Sequence, residues 1–108
     1  MTWSEAIENY ANYLRFEKNA SENTIEAYVS DLQKLQDFAE QNLMKITPIT
    51  ISYEHLQEFL YQVSKINYSE RTQARWISSI RGFFSFLLED ELREDNPSAL
   101  LETPKLGL

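Results

Sequence analysis

Apolar residues recur every three or four positions along most of the chain, which is the spacing of amphipathic helices. Four such segments are separated by short polar stretches, and only two glycines and three prolines interrupt the chain. Each segment follows a residue whose hydroxyl can accept a hydrogen bond from the free N–H groups of a first helical turn. These predicted N-caps are Thr2, Ser21, Ser52 and Ser69. The four predicted helices end at a turn over residues 18–20, near Leu43, before a loop at 66–68, and near Leu92.

Two further stretches complete the predicted fold. Residues 46–51 (ITPITI) favour extended backbone but contain Pro48, so we expect an extended connector between the second and third helices. Pro97 after Asn96 suits the first position of one more helical turn, with Leu100 and Leu101 as apolar anchors. The pattern therefore predicts an all-α protein, a compact bundle of four helices plus a short C-terminal fifth.

The fourth helix is the longest, and its two sides differ in character. Its apolar side, a sector of about 140°, is predicted to contain Trp76, Ile77, Ile80, Phe83, Phe84, Leu87 and Leu88. The opposite side carries Arg71, Arg75, Ser78, Ser79 and Gly82. Phe86 also falls on the polar side, where an exposed aromatic ring would mark contact with a second domain or a neighbouring subunit.

The composition of that polar side favours a binding surface over an ordinary solvated one. Serine and glycine are poorer helix formers than the Glu, Lys and Gln of a typical exposed face. They do, however, let another molecule approach the backbone closely. Arginines beside such short side chains suit a phosphate backbone, although two solvated arginines remain the simpler alternative.

The net charge of the chain weakens the interpretation of this side as a surface for a phosphate backbone. The net charge is −7, yet residues 64–82 contain four basic residues and one acidic one, which leaves −10 for the rest. The electrostatic potential close to a binding surface matters more than the net charge, because salt screens charges beyond roughly 8 Å at physiological ionic strength. We therefore expect weak DNA binding by this domain alone, and an acidic helical protein–protein interaction module is the alternative.

Other chemistry finds little support in the residues. The absence of cysteine excludes disulfides and thiolate metal sites, and the acidic cluster at 89–91 lacks the spacing of a calcium loop. The single histidine, His55, falls in the first turn of the third helix and suits a capping region better than a catalytic or ligand role. We expect no catalytic residue, metal or cofactor. No signal peptide or membrane span is indicated, so a cytoplasmic protein without membrane partners is predicted.

Two motifs carry a family resemblance. The pattern T-x-x-R-x-x-S-x-x-R-x-x-F, followed by an acidic stretch and N-P, is formed by Thr72, Arg75, Ser78, Arg81, Phe84, Asn96 and Pro97. Upstream, residues 21–25 (SENTI) with Tyr28, Asp31 and Leu32 match N-T-x-x-x-Y-x-x-D-L. In this order the motifs resemble the N-terminal core-binding domain of tyrosine recombinases, the phage-integrase and Xer group. A helix-turn-helix regulator is disfavoured, because the fourth helix is too long and too apolar for a recognition helix.

The resemblance implies a fold, an activity and partners. The fold is the crossed, orthogonal four-helix arrangement called SAM-like. Residues 1–102 would form a DNA-binding core-binding domain, and residues 103–108 would begin the linker to a C-terminal catalytic domain that is absent here. In such site-specific recombinases and integrases the two domains clamp duplex DNA, and the catalytic domain cuts the strands. The implied partners are double-stranded DNA, the catalytic domain of the same chain, and other recombinase subunits on the DNA.

The candidate DNA-binding residues come from the second and fourth helices. They are Asn23, Thr24, Tyr28, Arg71, Thr72, Arg75, Ser78, Ser79 and Arg81. For several a structural role competes: Asn23 and Thr24 suit plain capping, and the Tyr28 ring continues an apolar stripe. Arg81, at the border of the apolar side, suits a structural bridge equally well.

Overall fold

A computed structural model describes residues 1–41, 45–66 and 68–102, and within these ranges there are four α-helices and no β-strand. The helices are α1 (Trp3–Phe16), α2 (Glu22–Glu40), α3 (Tyr53–Ser64) and α4 (Glu70–Glu89). The predicted all-α class and the four predicted helices are confirmed. The predicted end of the second helix near Leu43 and the predicted linker at 103–108 lie outside the described residues.

All four predicted N-caps are confirmed, which explains why the helices begin where they do. In each case the cap hydroxyl accepts a hydrogen bond from the backbone N–H three residues later. The pairs are Thr2 with Glu5 at 3.1 Å, Ser21 with Thr24 at 3.2 Å, Ser52 with His55 at 3.3 Å, and Ser69 with Thr72 at 3.1 Å.

The chain divides into two compact units, of which the first runs from Met1 to Thr50. In this unit α1 and α2 pack together. Its buried apolar residues are Trp3, Ala6, Ile7, Tyr10, Leu14, Ile25, Leu32, Leu35, Ala39 and Ile46. The indole Nε1 of Trp3 donates to the carbonyl of Ile46 at 3.0 Å, so this buried N–H is satisfied and the connector is tied to the start of α1.

The connector differs from the extended segment that the sequence predicts. Residues 48–50 form a turn, in which the N–H of Thr50 donates to the carbonyl of Thr47 at 3.2 Å. The N–H of Thr47 in turn donates to the Thr50 hydroxyl at 2.9 Å. These threonine hydrogen bonds compete locally with extended backbone, which is why a β-favouring composition yields a turn here.

The second unit runs from Ile51 to Leu108 and contains α3 and α4. Its interior is rich in aromatic rings, with the Phe59 and Trp76 ring centroids 6.3 Å apart. The Phe83 and Phe84 centroids lie 5.0 Å apart in an edge-to-face arrangement. The other buried apolar residues of this unit are Ile51, Leu56, Val63, Ile77, Ile80, Phe86, Leu87 and Leu101.

Helix α4 ends three residues before the predicted position. Glu91 adopts the left-handed conformation at φ 58°, and the N–H of Leu92 donates to the carbonyl of Leu87 at 2.9 Å. The N–H of Glu91 also donates to the carbonyl of Leu88, at 3.1 Å. This is a Schellman motif, which usually has glycine at the left-handed position. Because Glu91 occupies that position here, the sequence does not predict where the helix ends.

The predicted fifth helix is present only as turns over residues 97–100. The N–H of Ala99 donates to the carbonyl of Asn96 at 3.2 Å, and that of Leu101 donates to Ser98 at 3.1 Å. Of the two predicted anchors, Leu101 is buried and Leu100 is exposed. A stretch this short forms one turn without extending into a helix, because helix nucleation is costly.

Candidate nucleic-acid interface

The exposed side of α4 carries the arginines and the serine that the sequence singles out. Arg71, Arg75 and Ser78 are exposed, and Gly82 is half-buried. At 1.5 Å per residue, Arg71 and Ser78 are about 10 Å apart along the helix axis. The part of the chain that the structure describes contains no ion-pair partner for Arg71. We call Arg71, Arg75 and Ser78 the α4 face.

Ser79 does not belong to this face, and its predicted exposure is wrong. Its exposed fraction is 0%, and its hydroxyl donates to the carbonyl of Arg75, one turn earlier, at 3.0 Å. A serine can be buried in a helix in this way, because its own backbone satisfies the hydroxyl. Ser79 is therefore a small interior residue.

The buried side of α4 is also rotated from its predicted position. Phe86, expected to be exposed, is 8% exposed, whereas Leu88, expected to be buried, is 40% exposed. With about 100° per residue, the buried arc is shifted by about 40° toward Ser79 and Phe86. Phe86 consequently offers no exposed ring for a partner. The rotation leaves the α4 face exposed.

Thr72 and Arg81 flank the α4 face and are both half-buried. The Thr72 N–H donates to the Ser69 hydroxyl, which itself donates to the Thr72 hydroxyl at 3.0 Å. Thr72 therefore has a capping role whatever else it contacts. The half-buried position of Arg81 fits the border of the apolar side that the sequence predicts.

The candidates in α2 belong to the first unit. Asn23 and Thr24 are exposed in the first turn of α2, and Tyr28, one turn further, is half-buried. The Thr24 N–H donates to the Ser21 hydroxyl, so one of the free N–H groups at this helix end is already satisfied. The predicted capping role of Thr24 is thus present, and Asn23 and Tyr28 keep exposed surface.

The charges at the two ends of α4 only partly match the helix dipole. Glu70 in the first turn suits the dipole, but Arg71 in the same turn does not, and the last turn has no basic residue but ends at Glu89. Each such placement costs roughly 0.3–1 kcal/mol when exposed. The helix dipole therefore does not explain the position of Arg71.

Other chemistry is limited in the described part of the chain. His55 completes a capping box, with its Nδ1 accepting from the N–H of Ser52 at 3.0 Å, which confirms its predicted capping role. Residues 1–41, 45–66 and 68–102 contain no group of three acidic, histidine or cysteine side chains that could hold a metal. In those same ranges no helix is both long and apolar enough to cross a membrane.

Two features are missed by the sequence analysis. The last turn of α3 exposes Tyr61, and Ile66 and Tyr68 are exposed between α3 and α4; none of these side chains was singled out from the sequence. The side chain of Arg93 is only 6% exposed and forms a structural network after α4. Tyr68 in the predicted loop at 66–68 is the only sequence signal for the exposed side chains, and no sequence signal indicates the Arg93 network.

Comparison with known proteins establishes the family. Residues 7–91 match the phage integrase N-terminal SAM-like domain. The chain is 38% identical to tyrosine recombinase XerD of Vibrio cholerae over 93% of its own length and 32% of the relative's. It is 41% identical to XerD of Staphylococcus epidermidis over 92% and 33%, respectively. It is 37% identical to tyrosine recombinase XerC of Leptospira interrogans over 95% and 33%. No solved structure matches the chain.

The chain therefore belongs to the phage integrase N-terminal SAM-like domain family, as the N-terminal domain of an Xer-like tyrosine recombinase. This confirms the resemblance carried by the two sequence motifs. The chain spans about a third of the length of the curated relatives it matches.

Proposed function

We propose that this chain is the DNA-binding core-binding domain of a site-specific tyrosine recombinase, holding duplex DNA for strand exchange that a separate catalytic domain carries out. Family membership supports the recombinase role. The observation that carries DNA binding is the α4 face, where two exposed arginines lie one turn apart beside an exposed serine. Asn23, Thr24, Tyr28, Thr72 and Arg81 are proposed as further contacts, and Ser79 is not.

The chemistry of this face suits a phosphate backbone. A guanidinium group can donate two parallel hydrogen bonds to a phosphate, and the short Ser78 side chain lets the strand approach the helix. Phosphate contacts position a protein on DNA and carry little sequence information. The domain would then bind modestly and with little sequence preference.

Weak binding is sufficient for a domain that is tethered to another. A short linker raises the effective concentration of a module to the order of millimolar. We propose that the chain binds without cutting, that a catalytic domain and other recombinase subunits are its partners on DNA, and that it works in the cytoplasm.

The first test removes a cation from the α4 face. Arg71→Ala should weaken binding of a mixed-sequence duplex and lower the magnitude of the slope of log K against log salt by about 0.9, the value for one lost phosphate contact. Lys18→Ala removes one exposed cation from the first unit and should leave the slope unchanged. Fluorescence anisotropy over a salt series measures both.

A variant that adds a positive charge to the α4 face should bind DNA more strongly. A misfolded variant would instead lose binding, so the two outcomes are distinguishable. Ser78→Lys should strengthen duplex binding and steepen the same slope by about 0.9, whereas Asn9→Lys on the exposed side of α1 should leave it unchanged. Equal responses of the two lysine variants would show that the α4 face is wrongly assigned. If the chain shows no salt-dependent DNA binding, the alternative of an acidic protein–protein interaction module is favoured.

A further inference from the structure

The end of α3 and the residues before α4 expose a cluster of large side chains. Tyr61, Ile66 and Tyr68 are 57%, 61% and 38% exposed. They account for three of the eight large hydrophobic residues that are exposed in the described part of the chain. Clustered exposed aromatic residues usually mark an interaction surface. We call Tyr61, Lys65, Ile66 and Tyr68 the α3–α4 corner.

The corner is held in place by the fold. The N–H of Ile66 donates to the carbonyl of Val63 at 3.1 Å, and the Ser64 hydroxyl donates to the carbonyl of Tyr61 at 2.6 Å. On the α4 side, the Tyr68 ring meets the buried Trp76 ring edge-on, with centroids 4.6 Å apart. A surface fixed in this way loses little conformational entropy on binding.

The corner also carries one cation, Lys65. The Nζ of Lys65 lies 4.3 Å from the centroid of the Tyr61 ring, so a cation–π contact positions the ammonium group. Residues 61–69 contain no carboxylate, and the exposed Glu70 follows directly, in a chain whose net charge is −7. A single positioned ammonium group suits one anionic group of a partner, such as a phosphate.

The position of the corner indicates which anionic partner it meets. Tyr68 directly precedes the N-cap of α4, and the Gln73 side chain donates to its carbonyl at 3.1 Å. The corner is thus continuous with the start of the α4 face. A strand leaving Arg71 toward the helix N-terminus would meet a lysine, two tyrosine hydroxyls and apolar surface, groups that suit phosphates and sugars.

We propose that the α3–α4 corner is a second contact to the DNA backbone, which extends the α4 face beyond the start of the helix. The proposal rests on the proposed function, since it adds to the same binding surface. It assigns Lys65 to a phosphate and the tyrosine hydroxyls to hydrogen bonds with the backbone. These residues were not among those the sequence identified.

The test is a double variant with a matched control. Tyr61→Phe with Lys65→Gln keeps the ring and removes the hydroxyl and the charge, while Tyr68 stays in place to cover Trp76. The first unit contains a similar pair, in which Lys18 Nζ lies 5.6 Å from the Tyr13 ring centroid. Tyr13→Phe with Lys18→Gln is therefore the control, with the same change of charge and composition.

Binding of a mixed-sequence duplex is measured by anisotropy over a salt series. The corner variant should lower the magnitude of the slope by about 0.9 and weaken binding, while the control should match the unaltered chain. If the corner variant keeps the full slope while Arg71→Ala lowers it, the corner proposal is overturned and the proposed function stands. If the unaltered chain shows no salt-dependent DNA binding, both fail. Binding of polyglutamate in preference to DNA would identify an acidic protein as the partner and overturn the corner proposal.

Discussion

At the scale of single residues, three large rings dominate the interior of the second unit. Trp76, Phe83 and Phe84 are among the largest side chains that are fully buried in the described residues. Phe84 contacts Phe83 on one side, and the Arg93 guanidinium carbon lies 5.6 Å from its ring centroid. The stability of this unit should therefore depend strongly on Phe84.

Phe84→Ala should lower the free energy of unfolding by about 3–5 kcal/mol, the usual cost of emptying a buried phenylalanine site. Phe16, at 76% exposed, offers the matched control, and Phe16→Ala should change stability by no more than about 0.5 kcal/mol. Urea unfolding followed by circular dichroism measures both. Equal losses in the two variants would contradict the burial of Phe84.

At the scale of elements, the segment after α4 is held by Arg93 and not by helical structure. The Arg93 Nη1 donates to the carbonyl of Ile51 at 2.8 Å, which ties the segment to the residues before α3. Its Nε and Nη2 donate to the two carboxylate oxygens of Asp95 at 3.0 and 3.2 Å. The Asn96 side chain then accepts hydrogen bonds from the N–H and hydroxyl of Ser98 at 2.9 and 2.6 Å.

Arg93→Ala should destabilise the protein by about 2 kcal/mol, because hydrogen bonds to a charged group contribute roughly 1.5–3 kcal/mol and the Ile51 carbonyl would lose its partner. Hydrogen exchange should accelerate at the amides of Ser98 and Leu101. Arg93→Lys should recover little of the lost stability, since lysine lacks the planar guanidinium group whose nitrogens donate to both Asp95 and Ile51.

Arg15 provides the control for Arg93. It pairs with Glu22 at 2.8 Å on the exposed surface of the first unit, where hydrogen bonding to Arg15 lowers the pKa of Glu22. Solvent screens such a pair, so Arg15→Ala should leave the melting temperature almost unchanged. An equal loss in both variants would show that Arg93 acts only as a surface ion pair.

At the scale of the whole molecule, charge limits how strongly the chain can hold DNA. The proposed surface has four cations, Lys65, Arg71, Arg75 and Arg81, against a net charge of −10 outside residues 64–82. The acidic remainder repels phosphates most strongly at low salt, because the Debye length is then longest and the repulsion is least screened.

Duplex binding by the unaltered chain should therefore show a modest salt dependence. With at most four neutralised phosphates, the slope of log K against log salt should be no steeper than about −3.6. A salt titration by anisotropy checks this limit. A steeper slope would require cations outside the proposed surface, and Lys18, Lys34 and Lys45 would then be the next residues to test.

The sequence by itself determined the parts of the protein that depend on local chemistry. Hydroxyl caps act on N–H groups three residues away, so Ser21, Ser52 and Ser69 predict their helix starts without knowledge of the fold. The spacing of apolar residues likewise predicts the four helices, and the two motifs indicate the family that comparison confirms.

Only the tertiary structure decided which sides of α4 are covered. Periodicity gives the angle of each residue around the helix, but the width and direction of the buried arc depend on what packs there. Phe86 and Ser79 are consequently buried and Leu88 is exposed, against the predicted pattern. The hydrogen bond from Arg93 to the Ile51 carbonyl, 42 residues away in sequence, could not be predicted either. Every residue has a backbone carbonyl, so the sequence does not indicate which one accepts this bond.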